Sequence, residues 1–166
     1  IGFLYKKNGI ELNPFILGGG QENSLRSGTE NIASIVAMAI ALEENISYLE
    51  ENMRYVKSLE DALIHQLLSL NIKFHKNGST IKIPGNISLS CEGLSGESLL
   101  HRLDLLGICV STGSACDSKT TQISHVLKAI GLEESLAKGT IRISLGKDNT
   151  LDDVNRIVEA LVRIVK

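Results

Sequence analysis

The chain has 166 residues, 43% hydrophobic and 22% charged, with 17 Lys and Arg against 19 Asp and Glu for a formal charge of -2. This is the composition of one folded domain, or of one small domain carrying a piece of another, and it excludes a disordered tail, a fibrous repeat and a basic field, so neither nucleic acid nor a membrane surface is an expected partner. Cys91, Cys109 and Cys116, an odd set in no C-x-x-C spacing, fit neither a disulfide framework nor a zinc site, and a reducing cytoplasm is the expected location.

Ile1-Gly2-Phe3-Leu4-Tyr5 reads as a β-strand already under way, and a chain that opens on Ile predicts a fragment. A polar turn at Lys6 to Gly9 and a second extended piece ending in Gly18-Gly19-Gly20 predict a hairpin leading into a glycine-rich loop. With Thr29 as N-cap, Ile32, Ile35, Val36, Ala39 and Ile40 recur at helical spacing. The stripe runs on through Ile46, Leu49, Met53, Val56, Leu59, Leu63 and Leu67, with Arg54, Lys57, Glu60 and Asp61 on the other face, as one very long or once-broken helix. Its apolar run, Ile32 to Leu42, is well short of the roughly 20 residues of a membrane span.

Short strands are predicted over Asn71 to Phe74 and Asn86 to Ser90, around turns at Lys76-Asn77-Gly78-Ser79 and Pro84-Gly85. A helix capped by Ser95 stops at Gly107, and Ile108-Cys109-Val110 follows as a strand that would bury Cys109. After a loop of small residues from Ser111 to Ser118 come a helix ending at Gly131, a strand over Thr140 to Leu145, and a last helix capped by Thr150. Strands alternating with helices predict an α/β layered fold, and no internal repeat is visible.

Three places can carry chemistry. Gly18 to Glu22 and Leu25-Arg26-Ser27-Gly28-Thr29 deliver glycines, a guanidinium and hydroxyls to a helix start, which is either an anion site or a plain turn with an N-cap. Cys116, in Ser111-Thr112-Gly113-Ser114-Ala115-Cys116-Asp117-Ser118, is either a tolerated loop cysteine or a nucleophile near a helix start, where thiolate is favoured. Arg142, in Thr140-Ile141-Arg142-Ile143-Ser144, faces away from the isoleucines as a surface arginine or as a bidentate clamp for a carboxylate. His65, His75, His101 and His125 have no metal-like spacing, and no metal ligand is expected; only His125 lies near the Cys116 loop.

The order GGGQENSLRSGTEN, STGSACDS, SHVLKAIGL, GTIRISLG resembles the C-terminal part of cysteine desulfurases of the NifS/IscS-type branch, in the class V aminotransferase group of pyridoxal-phosphate enzymes. The resemblance covers essentially the whole chain, and the wording of the cysteine loop is that of this branch rather than of the SufS-related one. It implies an α/β fold, the C-terminal small domain of a PLP-dependent transferase of fold type I, with a short mixed or antiparallel sheet packed against helices. Residues 1–30 would be a remnant of the large PLP-binding domain, and 31–166 the long linking helix and small domain. Cys116 would be the catalytic nucleophile that takes sulfur from L-cysteine as a persulfide, leaving L-alanine. Arg142 would receive the substrate carboxylate. Thr29 would touch the phosphate of pyridoxal 5'-phosphate from the neighbouring subunit, which implies a homodimer. The acceptor would be a protein such as an iron–sulfur scaffold, or the sulfur would go to tRNA thiolation, and a mobile Ser111 to Ser118 loop would carry it. The lysine that binds the cofactor aldehyde matches no residue here, Lys6 and Lys7 included, so the covered chain is expected to be inactive alone. The competing expectation is a non-catalytic interaction module that docks a sulfur-transfer partner.

Overall fold

The computed structural model describes residues 1–112 and 123–165. The chain forms two compact units, Ile1–Leu49 and Glu50–Lys166.

In the first unit the strand expected at Ile1 to Tyr5 does not form. These residues are exposed and irregular, because a strand must pair its N–H and C=O groups with a neighbour and no described residue pairs with them. The expected hairpin is replaced by a closed loop. Ile16 bridges to Arg26 in parallel, the Ser27 N–H donates to the Ile16 carbonyl (3.2 Å), and the Ser27 hydroxyl donates to the Gly19 carbonyl (2.8 Å). Inside the loop Glu22, Asn23 and Ser24 all take left-handed backbone angles (φ 50°, 55° and 64°), a run that L-residues avoid and that stores strain.

Helix α1 (Ile32–Ser47) is capped by Asn31 rather than by Thr29. The Asn31 side chain accepts from the Ser34 N–H at 3.2 Å, and starting there leaves Thr29 outside the helix. The long apolar stripe is broken at Tyr48, after which α2 (Leu49–Ser69) begins. No single helix among the described residues is long and apolar enough to cross a membrane.

The second unit is built on α2, which turns Val56, Leu59, Leu63 and Leu67 inward. Glu60, expected on the polar face, is also fully buried, since four residues from Val56 it falls on the same stripe. Asn71 (φ 54°) and Ile72 complete the end of α2, their N–H groups donating to the Leu68 and Leu67 carbonyls. The strand expected over Asn71 to Phe74 is therefore displaced to β1 (His75–Lys76). With β2 (Asn86–Ser90), β3 (Ser111–Thr112) and β4 (Thr140–Ser144) it makes a sheet of order β1-β2-β4-β3, antiparallel at every pair.

Strand alternation puts Ile87, Leu89, Ile141 and Ile143 on one face. They join a core with α2, with Leu99 and Leu103 of α3 (Gly96–Asp104), and with Val154, Ile157, Val158 and Leu161 of α6 (Leu151–Val165). Helix α3 is capped by Ser95, as expected. In α6 the Asp153 N–H donates to Thr150 Oγ1 (3.3 Å) and the Thr150 N–H donates to Asp153 Oδ2 (2.9 Å), a reciprocal cap. Two short helices, α4 (His125–Ala129) and α5 (Glu134–Lys138), precede β4; the sequence carries no signal for α5, because five residues have no readable period. The strand expected over Ile108 to Val110 forms instead at Ser111–Thr112, where β4 pairs with it; Ile108 and Val110 still turn toward the core, so Cys109 between them turns out and is exposed, contrary to expectation. Gly139 is held where a side chain would run into the Cys91 and Leu94 carbonyls, and Gly85 (φ +80°) where one would strike the Leu145 carbonyl and Val56.

Candidate functional site

The face of the sheet opposite the core is polar, and cross-strand register orders it into rows. Arg142 on β4 stands opposite Ser88 of β2 on one side and Ser111 of β3 on the other. The β1–β2 ladder pairs His75 with Ser90 and Lys76 with Leu89, and the Asn77 N–H continues it by donating to the Ser88 carbonyl at 2.9 Å. One row therefore reads Ser88, Arg142, Ser111 across β2, β4 and β3, with Asn77, just past the end of β1, beside Ser88, and the next reads His75, Ser90, Thr140.

The guanidinium of Arg142 is exposed, as the Thr140 to Ser144 alternation predicts, and makes no hydrogen bond or ion pair among the described residues. A planar fork on the centre of a strand, with hydroxyls beside it, can take a carboxylate by two parallel hydrogen bonds. Around it the polar groups are tied down. Asn77 is buried and its Nδ2 donates to Ser88 Oγ (3.0 Å) and Ser90 Oγ (2.8 Å). Ser90 Oγ lies 2.7 Å from Thr140 Oγ1, which donates to the Leu136 carbonyl (2.9 Å). The sequence marks Asn77 only as a turn residue; the polar positions Asn86, Ser88 and Ser90, alternating with Ile87 and Leu89, are the signal for the face it serves.

The segment between Asn77 and β2 is pinned by Glu60. Its carboxylate receives Lys76 Nζ (2.9 Å), Lys82 Nζ (2.6 Å) and the Gly85 N–H (3.0 Å). Burial pushes this carboxyl up, but the two ammonium groups and the Gly85 N–H outweigh burial and hold it at about 2. Turning Lys82 inward leaves its neighbours Ile81 and Ile83 outward, 92% and 76% exposed.

Thr29 belongs to the first unit. It follows Gly28 (φ +109°), is exposed, and makes no hydrogen bond among the described residues, whereas the neighbouring Ser27 hydroxyl is spent on Gly19. Of the loop expected over Ser111 to Ser118, Ser111 and Thr112 form β3 instead, and the rest, Cys116 included, lies outside the described residues. Of the other cysteines Cys91 is buried, which pushes its thiol up and disfavours thiolate, and Cys109 is exposed. Among the described residues no three of His, Cys, Asp and Glu gather as a metal would require.

Residues 1–157 match the aminotransferase class-V family. The chain is 39% identical over 166 residues to cysteine desulfurase IscS 1 of Archaeoglobus fulgidus, covering 100% of this chain and 44% of that relative. It is 41% identical over 166 residues to cysteine desulfurase IscS of Methanosarcina thermophila, covering 99% of this chain and 41% of that one. Among solved structures it is similar to a NifS-like protein at a TM-score of 0.84 and 35% identity, over 96% of this chain and 40% of the other. The chain thus spans less than half the length of these relatives.

Proposed function

The chain belongs to the aminotransferase class-V family, and from that membership we propose that it is the C-terminal region of a PLP-dependent cysteine desulfurase converting L-cysteine to L-alanine. The expected fold agrees with the neighbours: an α/β unit with a small antiparallel sheet, similar to NifS-like proteins. Residues 1–30 are the remnant of a large cofactor domain and 31–166 the linking helix and small domain.

The observation that carries the reading is Arg142, a guanidinium on the central polar row of the sheet with no partner among the described residues, where a substrate carboxylate would find two parallel donors. Holding the amino acid by that end fixes which of its atoms faces Cys116. The Cys116 thiolate then attacks the substrate sulfur: an S–S bond forms as the C–S bond breaks, the electron pair stays with the carbon skeleton, and that carbon leaves as alanine once protonated. Cys116 keeps the sulfur as a persulfide for a protein acceptor in iron–sulfur cluster assembly, or for tRNA thiolation.

Pyridoxal phosphate, when bound, supplies the electron sink for this cleavage. The residues present suit one end of it: the exposed Thr29 hydroxyl behind Gly28, with no hydrogen bond among the described residues, can meet the phosphate, from a second copy in a homodimer. They do not suit the aldehyde end. Lys6 and Lys7 are exposed on irregular backbone, and no described residue aims them, which supports the reading that the 166-residue chain by itself is inactive. The odd number of cysteines, in no C-x-x-C spacing, supports a cytoplasmic location.

The test is sulfide and alanine production from L-cysteine by the full-length parent enzyme, before and after Cys116→Ser. Loss of both products with substrate still bound supports the assignment; unchanged sulfide release rejects it. A parent without desulfurase activity that still binds a sulfur-transfer protein would favour the interaction-module reading.

A further inference from the structure

The polar row that holds Arg142 begins at a residue the proposed reaction does not use. Asn77 is only 5% exposed, so it cannot touch substrate, yet it shares a row with Arg142 through Ser88. Its amide divides into two arms, one to Ser88, which stands directly opposite Arg142, and one to Ser90, which leads away through Thr140 to the Leu136 carbonyl. Its Oδ1 is buried and has no hydrogen-bond partner among the described residues. A buried amide acceptor left unpaired costs about 1–3 kcal/mol.

We propose that Asn77 is a positioning residue for Arg142, setting through Ser88 the place at which the guanidinium meets the substrate carboxylate; this rests on the proposed desulfurase reading. A serine hydroxyl has two lone pairs. Asn77 occupies one on Ser88, and in doing so fixes how the hydroxyl is turned toward the cross-strand position of Arg142. The Asn77 N–H bond to the Ser88 carbonyl fixes the backbone of the same residue. The Glu60 anchor to Lys76 and Lys82 brackets Asn77 on both sides, so the amide is held on a short, doubly tethered segment. Without it the Ser88 side chain, cross-strand neighbour of Arg142, is free to rotate.

The two arms make the idea separable from a merely structural role. In the full-length parent enzyme, Asn77→Ala is expected to raise KM for L-cysteine about tenfold with kcat changed by less than about twofold, the signature of a displaced binding group. Ser88→Ala, a milder change that keeps the fold, is expected to raise KM by about threefold, and the double variant no further than Asn77→Ala alone, since both act along one path. Ser90→Ala cuts the other arm and is expected to lower Tm while leaving KM unchanged. A readout independent of turnover is the Arg142 Nε–Hε resonance of the 166-residue chain, which Asn77→Ala and Ser88→Ala should shift and Ser90→Ala should not. KM unchanged in both Asn77→Ala and Ser88→Ala, or raised equally by Ser90→Ala, overturns the proposal. A wild-type parent that yields no alanine, or an Arg142→Lys variant with normal KM, overturns the desulfurase reading instead.

Discussion

The buried carboxylate of Glu60 offers the sharpest test of how this fold is held. Its side chain is 1% exposed and serves three donors, Lys76, Lys82 and the Gly85 N–H, that lie beyond the end of α2. Replacing it by Gln keeps the shape and the Gly85 contact but strands two ammonium groups. Burial opposes the charge and the donors outweigh burial, so the folded carboxyl sits at about 2 against an ordinary 4.5. A folded value below the unfolded one means that the stabilisation is complete above the unfolded value and is lost as pH falls through about 2. The difference amounts to about 3 kcal/mol near neutrality and, by the same linkage, to about 2 kcal/mol near about pH 3.5. Urea unfolding of the chain and of Glu60→Gln, followed by circular dichroism, should therefore show a gap of about 3 kcal/mol at neutral pH that narrows on acidification. A gap below about 1 kcal/mol, or one that stays constant or widens in acid, would refute the argument.

Gly85→Ala should destabilise by about 3 kcal/mol or more, because its positive φ and its approach to the Leu145 carbonyl and Val56 penalise a side chain together, and thermal unfolding measures it. In the parent enzyme Cys116→Ser should reduce sulfide release about 100-fold or more and abolish the persulfide detected by thiol alkylation and mass spectrometry. Arg142→Ala should raise KM for L-cysteine about 10- to 100-fold, the equivalent of a charge-assisted contact, as steady-state kinetics will show. Mixed with pyridoxal phosphate and borohydride, the 166-residue chain should fix cofactor at no single lysine; stoichiometric labelling of one defined lysine would contradict this.

Local pattern carried much of this protein. The apolar stripe on α2, the caps Ser95 and Thr150, the alternation of Thr140 to Ser144 and the outward aim of Arg142 are legible because a helix or strand repeats over a few residues and one face must be buried. The four ordered motifs were enough to point to the family, since their residue types are set by chemistry rather than by packing. What the chain could not disclose locally is what closes over what. Glu60 looks like one more surface acid until Lys82 and Gly85 fold back onto it, and Asn77 looks like a turn residue until β2 arrives beside it. Cys109 looks apolar in company with Ile108 and Val110, yet the alternation that buries them exposes it. Ile1 to Tyr5 has the composition of a strand and no described neighbour to pair with. Each of these depends on a partner distant in sequence, and burial, charge pairing and strand formation are properties of the pair, so only the tertiary structure could decide them.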